Sequence, residues 1–262
     1  MSKLALIDGD MVAYRCAASC HPSKKKALDL DVPFEELEIE PLESAIFRAN
    51  DLLYRIVNTT QADEYRVFIS GDRNFRKLLY PDYKAHRASV EKPVYLDPLR
   101  ELLVREWNAE IVDGYEADDG IGMAHNERTI IVSNDKDFKQ LAGEHYNPVK
   151  DEFEVVDSLT ASYNFYFQML KGDAADGIRG VDGIGDVKAK RALSGLTPEE
   201  MHSTVSRLYG DEGRFLLNFK LLRILRSIEE YHEIEASISE SQREESPEVS
   251  GAKDLVFLSG AN

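Results

Sequence analysis

The sequence predicts an α/β fold, in which a mostly parallel sheet with flanking helices is followed by a C-terminal helical part. Over the first 150 residues, short apolar runs alternate with amphipathic segments, which is the pattern of strand–helix–strand units. From about residue 158 onward, the strand signals stop and helical signals take over. The chain has 262 residues, 43% hydrophobic and 31% charged, which allows one large domain or a main domain with an appendage.

Strands are predicted where short apolar runs end at polar residues. KLALID ends at Asp8, EYRVFIS ends at Ser70, and TIIVS ends before Asp135. Weaker signals predict a fourth strand at AEIVD and a fifth at EHYNPV. Between the strands, PLESAIFRANDLLYRIV and PLRELLVREWN each begin with Pro and repeat apolar residues at intervals of three and four. These two segments are predicted to be amphipathic helices.

The second part of the chain is predicted to be helical, with a Gly-rich interruption at residues 172–193. EGRFLLNFKLLRILRSIEEYHEI, at residues 212–234, gives the strongest helix signal. After about residue 236 the composition turns to Ser, Glu and Pro with few aromatic residues, which predicts disorder. We therefore expect an α/β domain over 1–157, a helical domain over 158–236 and an acidic, disordered tail over 237–262.

The composition excludes several classes of protein. No run approaches the roughly 18 apolar residues of a membrane span. The N-terminal segment meets an acid at Asp8, too early for a signal peptide, so we expect a cytoplasmic protein. The two cysteines, Cys16 and Cys20, are interpreted as buried apolar groups in a reducing compartment. Together with His21 they come nearest to a zinc ligand set, but no fourth ligand is evident.

The net charge of −16 argues against binding to nucleic acid only until its distribution is considered. Residues 27–44 hold seven acids and no base, and residues 229–254 hold nine acids against Arg243 and Lys253. These two segments carry 14 of the 16 excess negative charges. The remainder of the chain is basic once the acids at the carboxyl edge of the predicted sheet are assigned to one site.

Seven acids are expected at the carboxyl edge of the sheet, where ligands bind in open parallel sheets. They are Asp8, Asp72, Glu116, Asp118, Asp119, Asp135 and Asp137. Each one alone could cap a helix or end a strand. Clustered carboxylates oppose folding unless cations neutralise them, so jointly they predict a metal site. An all-oxygen ligand set favours Mg²⁺ or Mn²⁺, and seven carboxylates exceed the needs of one ion, which favours two.

Two further segments have the character of phosphate-binding elements. Between Asp72 and Pro98, basic side chains alternate with aromatic ones, as suits phosphates and an unpaired base, although a solvated connection would look similar. The bases are Arg73, Arg76, Lys77, Lys84 and Arg87, and the aromatic residues are Phe75, Tyr80 and Tyr83. In GIRGVDGIGDVKAKRAL, glycines precede a helix that carries Lys188 and Lys190, a pattern that exposes backbone N–H groups to a phosphate.

Five motifs in order resemble the flap endonuclease (5′ nuclease) family, especially its phage and bacterial polymerase-associated branch. They are IDGDMVAYR, ISGDRNFRKLLYPDYKAHR, EADD, SNDKDF and GDAADGIRGVDGIGDVKA, and the resemblance covers about residues 8–225. It implies a PIN-like nuclease domain with an arch at about 73–97. It also implies a helix-hairpin-helix (helix-three-turn-helix) element for duplex DNA in the helical domain.

The resemblance also implies roles for individual residues. It adds Asp173 and Asp176 to the seven metal carboxylates, and it gives Lys84 and Arg87 contacts to the scissile phosphate. It implies that the glycine hairpin can hold K⁺ against a DNA phosphate. The residues expected to contact DNA are Arg73, Arg76, Lys77, Tyr83, Gly180, Gly183, Gly185, Lys188 and Lys190.

The implied function is a structure-specific 5′ nuclease, acting as a 5′-3′ exonuclease or flap endonuclease in DNA replication or repair with two divalent cations. The expected partner is DNA with a 5′ flap, nick or 5′ end, RNA–DNA hybrids stay open, and we expect a monomer without a membrane partner. One alternative is a haloacid-dehalogenase-like phosphatase with Asp8 as nucleophile. A second is a catalytically silent protein that binds branched DNA.

Overall fold

The structure is a computed structural model, and it describes residues 2–245. The main sheet contains β1 Leu4–Asp8, β2 Glu64–Asn74, β3 Glu110–Gly114, β4 Thr129–Val132, β5 Gly143–Asn147 and β6 Glu152–Val156. The strand order is β3-β2-β1-β4-β5-β6, and every neighbouring pair is parallel except β5 with β6. The predicted α/β class with a mostly parallel sheet is confirmed, whereas the antiparallel β6 was not predicted.

The helices of the first part are α1 Gly9–Ala18, α2 Lys24–Leu30, α3 Leu42–Thr60, α4 Phe75–Leu79, α5 Leu96–Trp107 and α6 Ala117–Ala124. Short 3-10 helices lie at Phe34–Glu36, Ala85–Ser89 and Lys136–Gln140. The second part contains α7 Ser158–Lys171, α8 Asp186–Leu193, α9 Pro198–Tyr209, α10 Glu212–Leu222 and α11 Ile228–Glu245. A small hairpin between α7 and α8 is formed by β7 Gly172–Asp173 and β8 Ile178–Arg179.

The sheet is covered on both faces, which explains why its central strands are almost continuously apolar. Ala5 and Ile7 of β1 face α1, α3 and α5, whereas Leu6 faces the opposite side with α6. All three side chains are fully buried. Because the central strands are parallel, β1, β2 and β4 all end at one edge, where the polar residues that follow them are brought together.

The helical part has its own core, formed by α7 to α10 around side chains such as Phe165, Met169 and Val205. Tyr83, from the segment between α4 and α5, is buried in this same core. The main sheet ends at Val156 and α7 begins at Ser158. The division of the chain into domains at this point stays a prediction.

The single helix predicted over residues 212–234 is wrong, because the chain leaves helical geometry after Leu222 and resumes it at Ile228. The intervening backbone makes three distant hydrogen bonds. Arg76 donates to the Arg223 carbonyl at 2.7 Å, and the N–H of Leu225 donates to Asp119 at 3.0 Å. The N–H of Ile224 donates to the Gln140 side chain at 2.8 Å. These tertiary contacts outweigh the local helix propensity.

The predicted disordered tail is partly corrected, because α11 continues to Glu245. Ile234 and Ile238 are each only 8% exposed and pack in a cluster with Phe75 and Leu225. The segment 246–262 lies outside the described residues. Cys16 and Cys20 are free and buried, as predicted. Among the helices described, none is long and apolar enough to span a membrane.

Candidate active site at the carboxyl edge of the sheet

Six of the predicted carboxylates line one cavity of about 130 Å³ at the carboxyl edge of the sheet. They are Glu116, Asp118, Asp135, Asp137, Asp173 and Asp176. We call this cavity the carboxylate basin. The acids come from α6 and the 3-10 helix at Lys136–Gln140, each with the residue before it, and from the hairpin after α7, so residues far apart in sequence meet here. Lys84 and Arg87 line the same cavity.

Asp8 is buried at the end of β1, and its carboxylate is oriented by two donors. The Met11 N–H donates to one oxygen at 2.9 Å, and the Ser133 hydroxyl donates to the other at 2.8 Å. The same Ser133 hydroxyl accepts the N–H of Asp135 at 3.0 Å. Ser133 thereby links two predicted metal ligands from neighbouring strands. Sequence reasoning missed this role, for which the only signal is a hydroxyl directly after β4.

Burial and mutual repulsion raise the pKa values of several of these acids. The pKa of Asp8 rises from its ordinary value of 3.8 to about 7, first through burial and then through Asp10 and Asp135. Burial, followed by repulsion from Asp8 and Glu116, raises the pKa of Asp118 well above its ordinary value. Burial and Asp135 raise the pKa of Asp137 to about 6. Such a cluster costs free energy at neutral pH unless cations neutralise it.

The donor chemistry of the basin fits hard divalent cations, since its lining offers the carboxylate oxygens of six acids and contains no His or Cys. Among the described side chains, those of residues 2–240, however, no three acids, His or Cys are arranged to hold a metal ion as they stand. His21, which with Cys16 and Cys20 came nearest to a zinc ligand set, accepts the N–H of Val94 at 3.1 Å. The carboxylates thus share a basin without forming a finished coordination shell.

Removal of divalent cations should lower thermal stability more at pH 8 than at pH 5.5. Acids whose folded pKa is raised stabilise the fold when protonated, and this contribution is lost as pH rises from about 4 through the folded values of about 6 and 7. Mg²⁺ that binds only the folded chain offsets the loss. We therefore expect the Tm difference between Mg²⁺ and EDTA, measured by calorimetry, to grow with pH. A Tm difference at pH 8 that is equal to or smaller than that at pH 5.5 would contradict the assignment of the basin as a metal site.

Basic residues between α4 and α5 pair directly with acids of the basin. Lys84 Nζ lies 2.6 Å from Glu116 Oε1, and Arg87 donates to Asp176 Oδ1 at 2.7 Å. Burial alone would raise the pKa of Glu116, but Lys84 and Arg76 lower it overall. Burial raises the pKa of Asp176, with partial compensation from Lys84 and Arg87. These cations therefore neutralise part of the basin.

Asp119 and Arg76 form a buried ion pair. Asp119 is fully buried, and both its oxygens accept from the Arg76 guanidinium at 2.6 and 2.8 Å. Arg76 is 3% exposed and also donates to the Leu221 and Arg223 carbonyls. Asp119 further accepts the N–H of Glu116 at 3.0 Å. Asp119 does not line the basin, whereas the buried Arg76 does. Metal binding by Asp119 and DNA contact by Arg76 stay predictions.

The structure does not bring Asp72 into the basin either. Strand β2 continues past Ser70 to Asn74 with a shift in register, and Asp72 is exposed. Asp10, which sequence reasoning missed, lies at this point and accepts the Ser70 N–H at 2.9 Å. Arg100 donates to both Asp10 and the Ser70 carbonyl. The Ser70 hydroxyl accepts the first N–H of α6, so this network holds the helix that carries Asp118.

Two of the other predicted DNA contacts are also buried. Tyr83 is 3% exposed, and its hydroxyl donates to Glu116 at 2.8 Å, so its ring cannot stack on a base. Gly180 is buried, and a Cβ there would lie 2.3 Å from the Leu170 carbonyl oxygen. Its role is close backbone packing.

The remaining predicted contacts are at the surface or close to it. Arg73 is exposed but paired with Asp113 at 2.6 Å, and Lys188 donates to the Gly183 carbonyl at 2.8 Å. A Cβ at Gly183 or Gly185 would meet nothing. Lys77, Lys190, Gly183 and Gly185 are exposed. Contact with DNA stays a prediction for this set.

Comparison with known proteins places these features in a family. The model of the 5′-3′ exonuclease, N-terminal resolvase-like domain matches residues 3–169. The chain is 28% identical over 243 residues to a 5′-3′ exonuclease of Mycoplasma pneumoniae, covering 80% of this chain and 76% of that protein. It is 28% identical over 248 residues to DNA polymerase I of Chloroflexus aurantiacus, covering 81% of this chain but only 25% of the polymerase.

The fold is shared with a protein of known structure. The T5 D15 protein, crystallised with metal ions, superposes with a TM-score of 0.62 at 16% identity, covering 93% of this chain and 96% of that one. This likeness confirms the predicted PIN-like fold. By the family match over more than half its length, the chain belongs to the family of 5′-3′ exonuclease N-terminal, resolvase-like domains.

Proposed function

We propose that this chain is a metal-dependent 5′ nuclease that hydrolyses DNA phosphodiesters near 5′ ends or junctions. The observation that carries the proposal is the carboxylate basin, in which six acids and four basic residues, Lys84 and Arg87 among them, line one cavity. A relative of similar length is named a 5′-3′ exonuclease. The T5 D15 flap endonuclease has a structure in a complex with DNA and metal ions. Among the expected activities, these relatives favour exonuclease and flap cleavage.

Asp8 and the six acids of the basin would hold the cations. Two ions suit this number of carboxylates, because octahedral Mg²⁺ keeps several of its waters. Divalent cations, when bound, neutralise the acids and supply Lewis-acid activation of water for attack on phosphorus. Ser133 keeps Asp8 and Asp135 oriented. No protein nucleophile is required, so the dehalogenase-like alternative, which needs Asp8 for this purpose, leaves the rest of the basin without a role.

Lys84 and Arg87 would exchange partners when DNA binds. In the structure they pair with Glu116 and Asp176. A phosphate that enters the basin presents anionic oxygens to the same two cations, and their carboxylate partners are then free to bind metal. The two cations would balance negative charge on the reacting phosphate, a contribution that grows as charge develops.

The test uses duplexes labelled at the 5′ end, with a flap, a nick or a blunt end, incubated in Mg²⁺ and in EDTA. The expected products are nucleotides or short oligonucleotides with 5′-phosphates, formed only with the metal. An RNA-primed duplex tests the remaining substrate class. Turnover of p-nitrophenyl phosphate without cleavage of any DNA would favour the phosphatase instead.

Lys84→Ala should lower the rate of cleavage in the enzyme–DNA complex much more than it lowers the affinity for DNA. Because the contact to phosphate strengthens in the transition state, we expect a loss of about a hundredfold in single-turnover rate, with a Kd within about threefold. Joint replacement of Lys188 and Lys190 by Ala is the matched comparison. It should weaken binding to any duplex and reduce its salt dependence, with the rate restored at saturating protein. If Lys84→Ala lost affinity without losing rate, and the double variant lost rate without losing affinity, the roles of the Lys84 segment and of α8 would be exchanged.

A further inference from the structure

A second cavity, of about 290 Å³, lies on the other side of Leu221 from the carboxylate basin. Leu221 lines both cavities, so they are neighbours that share one side chain as a wall. The second cavity is bounded by Tyr80 from the segment after α4, by Arg179 from β8 and by Arg214 from α10. We call it the Arg179 cavity.

The Arg179 cavity has an excess of positive charge. Arg179 is exposed, and its guanidinium has no hydrogen-bond or ion-pair partner among the side chains described, which are those of residues 2–240. Its backbone is nevertheless fixed, because Asn218 donates to its carbonyl at 2.7 Å. Arg214 donates to the Gly180 carbonyl and lies 3.5 Å from Asp182, whose side chain is 91% exposed, so its ion pair is weak. Two guanidinium groups thus face one solvated carboxylate.

The rest of the lining is apolar or aromatic. Ile178, Leu217 and Leu221 form this surface, and the half-buried Tyr80 ring lies beside them. A guanidinium group can donate two parallel N–H hydrogen bonds to two oxygens of a phosphate. Aromatic or apolar surfaces accept the face of any base. The volume lies near the lower end of small-ligand sites. Phosphate-binding cations next to an aromatic ring and aliphatic side chains suit one nucleotide.

We propose that the Arg179 cavity binds one unpaired nucleotide of the DNA strand, next to the phosphodiester held at the carboxylate basin. The phosphate contacts Arg179 and Arg214, and the base lies against Tyr80 and the apolar lining. This inference rests on the proposed nuclease function and adds to it a site for the single-stranded part of the substrate. It also explains why Arg179 is held by its backbone while its side chain is left without a protein partner.

The test measures Kd by fluorescence anisotropy in Ca²⁺ for two labelled DNAs, a blunt duplex and the same duplex with a short single-stranded 5′ extension. The wild-type chain is expected to bind the extended DNA more tightly. Arg179→Ala should reduce this advantage about tenfold and leave the blunt-duplex Kd within about twofold. Arg207→Ala, which removes an exposed arginine of α9 outside the cavity, is the matched control and should change neither value. Arg179→Lys should lose part of the advantage, because it keeps the charge without the paired donors.

Three results would overturn the inference. The wild type could show no preference for the extension, Arg179→Ala could leave the preference intact, or the variant could weaken both DNAs equally. A titration with free dAMP separates the strand from a released product. Binding of dAMP that depends on Arg179, without any preference for the extension, would assign the cavity to the product instead. Absence of cleavage by the wild type in Mg²⁺ would contradict the proposed function, independently of these Kd values.

Discussion

Asp118→Asn is expected to reduce DNA cleavage by at least about a hundredfold while leaving DNA affinity in Ca²⁺ within a few-fold. Asp118 lines the basin and accepts no hydrogen bond from the described residues, so Asn fits its place without breaking a protein contact. Its pKa is raised well above the ordinary value, first by burial and then by Asp8, Glu116 and Asp135. Removal of its charge relieves that repulsion, so the metal-free variant should be at least as stable as the wild type.

Asp72→Asn is the matched control, since it makes the same chemical change outside the basin. Asp72 was predicted to bind metal, but it is exposed on the extended part of β2. Its replacement should leave cleavage within about twofold, in single-turnover assays in Mg²⁺. Loss of cleavage in Asp72→Asn together with normal cleavage in Asp118→Asn would reverse the assignment of these two acids.

Arg76→Met is expected to destabilise the fold by about 3–5 kcal/mol, because it leaves the charge of Asp119 buried without its partner. Asp119 has no exposed surface, and the two carbonyls bound by Arg76 also lose their donor. Methionine keeps much of the side-chain volume, so the effect is mainly the loss of charge and hydrogen bonds. The free energy of unfolding from urea titration measures it.

Arg66→Met provides the comparison on the surface of the same protein. Arg66 pairs with both oxygens of Glu110 at 2.6 and 2.7 Å, so its geometry resembles that of Arg76, but both side chains are more than 40% exposed. We expect a loss below about 1 kcal/mol. Equal losses in the two variants would show that the buried pair does not have the structural role described for it.

The sheet edge was predictable because the position of an acid after a buried parallel strand follows from the strand pattern alone. Asp8 and Asp135 were located in this way. Asp72 was not, because the pattern of EYRVFIS gives no sign that β2 continues to Asn74 after a register shift. Composition likewise cannot tell which base of a basic segment will be buried. Arg76 is separated from Asp119 by 43 residues, and only the folded chain pairs them.

The helix break had a different cause. Each residue from 212 to 234 is compatible with a helix, and the competing hydrogen bonds come from Asp119 and Gln140, which lie about a hundred residues earlier. Local pattern therefore predicts the two helical stretches correctly and cannot predict the interruption. The tail signal failed for a related reason, because Ile234 and Ile238 face a cluster that exists only after α4 has packed.

The backbone between α10 and α11 limits how short an expressed fragment of this chain can be. Leu225 lies against α6 so closely that a Cβ on Gly122 would be 2.3 Å from its carbonyl oxygen. The match to the family model ends at residue 169, yet this later backbone packs against Gly122 and donates a hydrogen bond to Asp119. A recombinant fragment cut at that boundary would lose both contacts. The match to this domain model is thus shorter than the segment that must be expressed for α6 to keep these contacts.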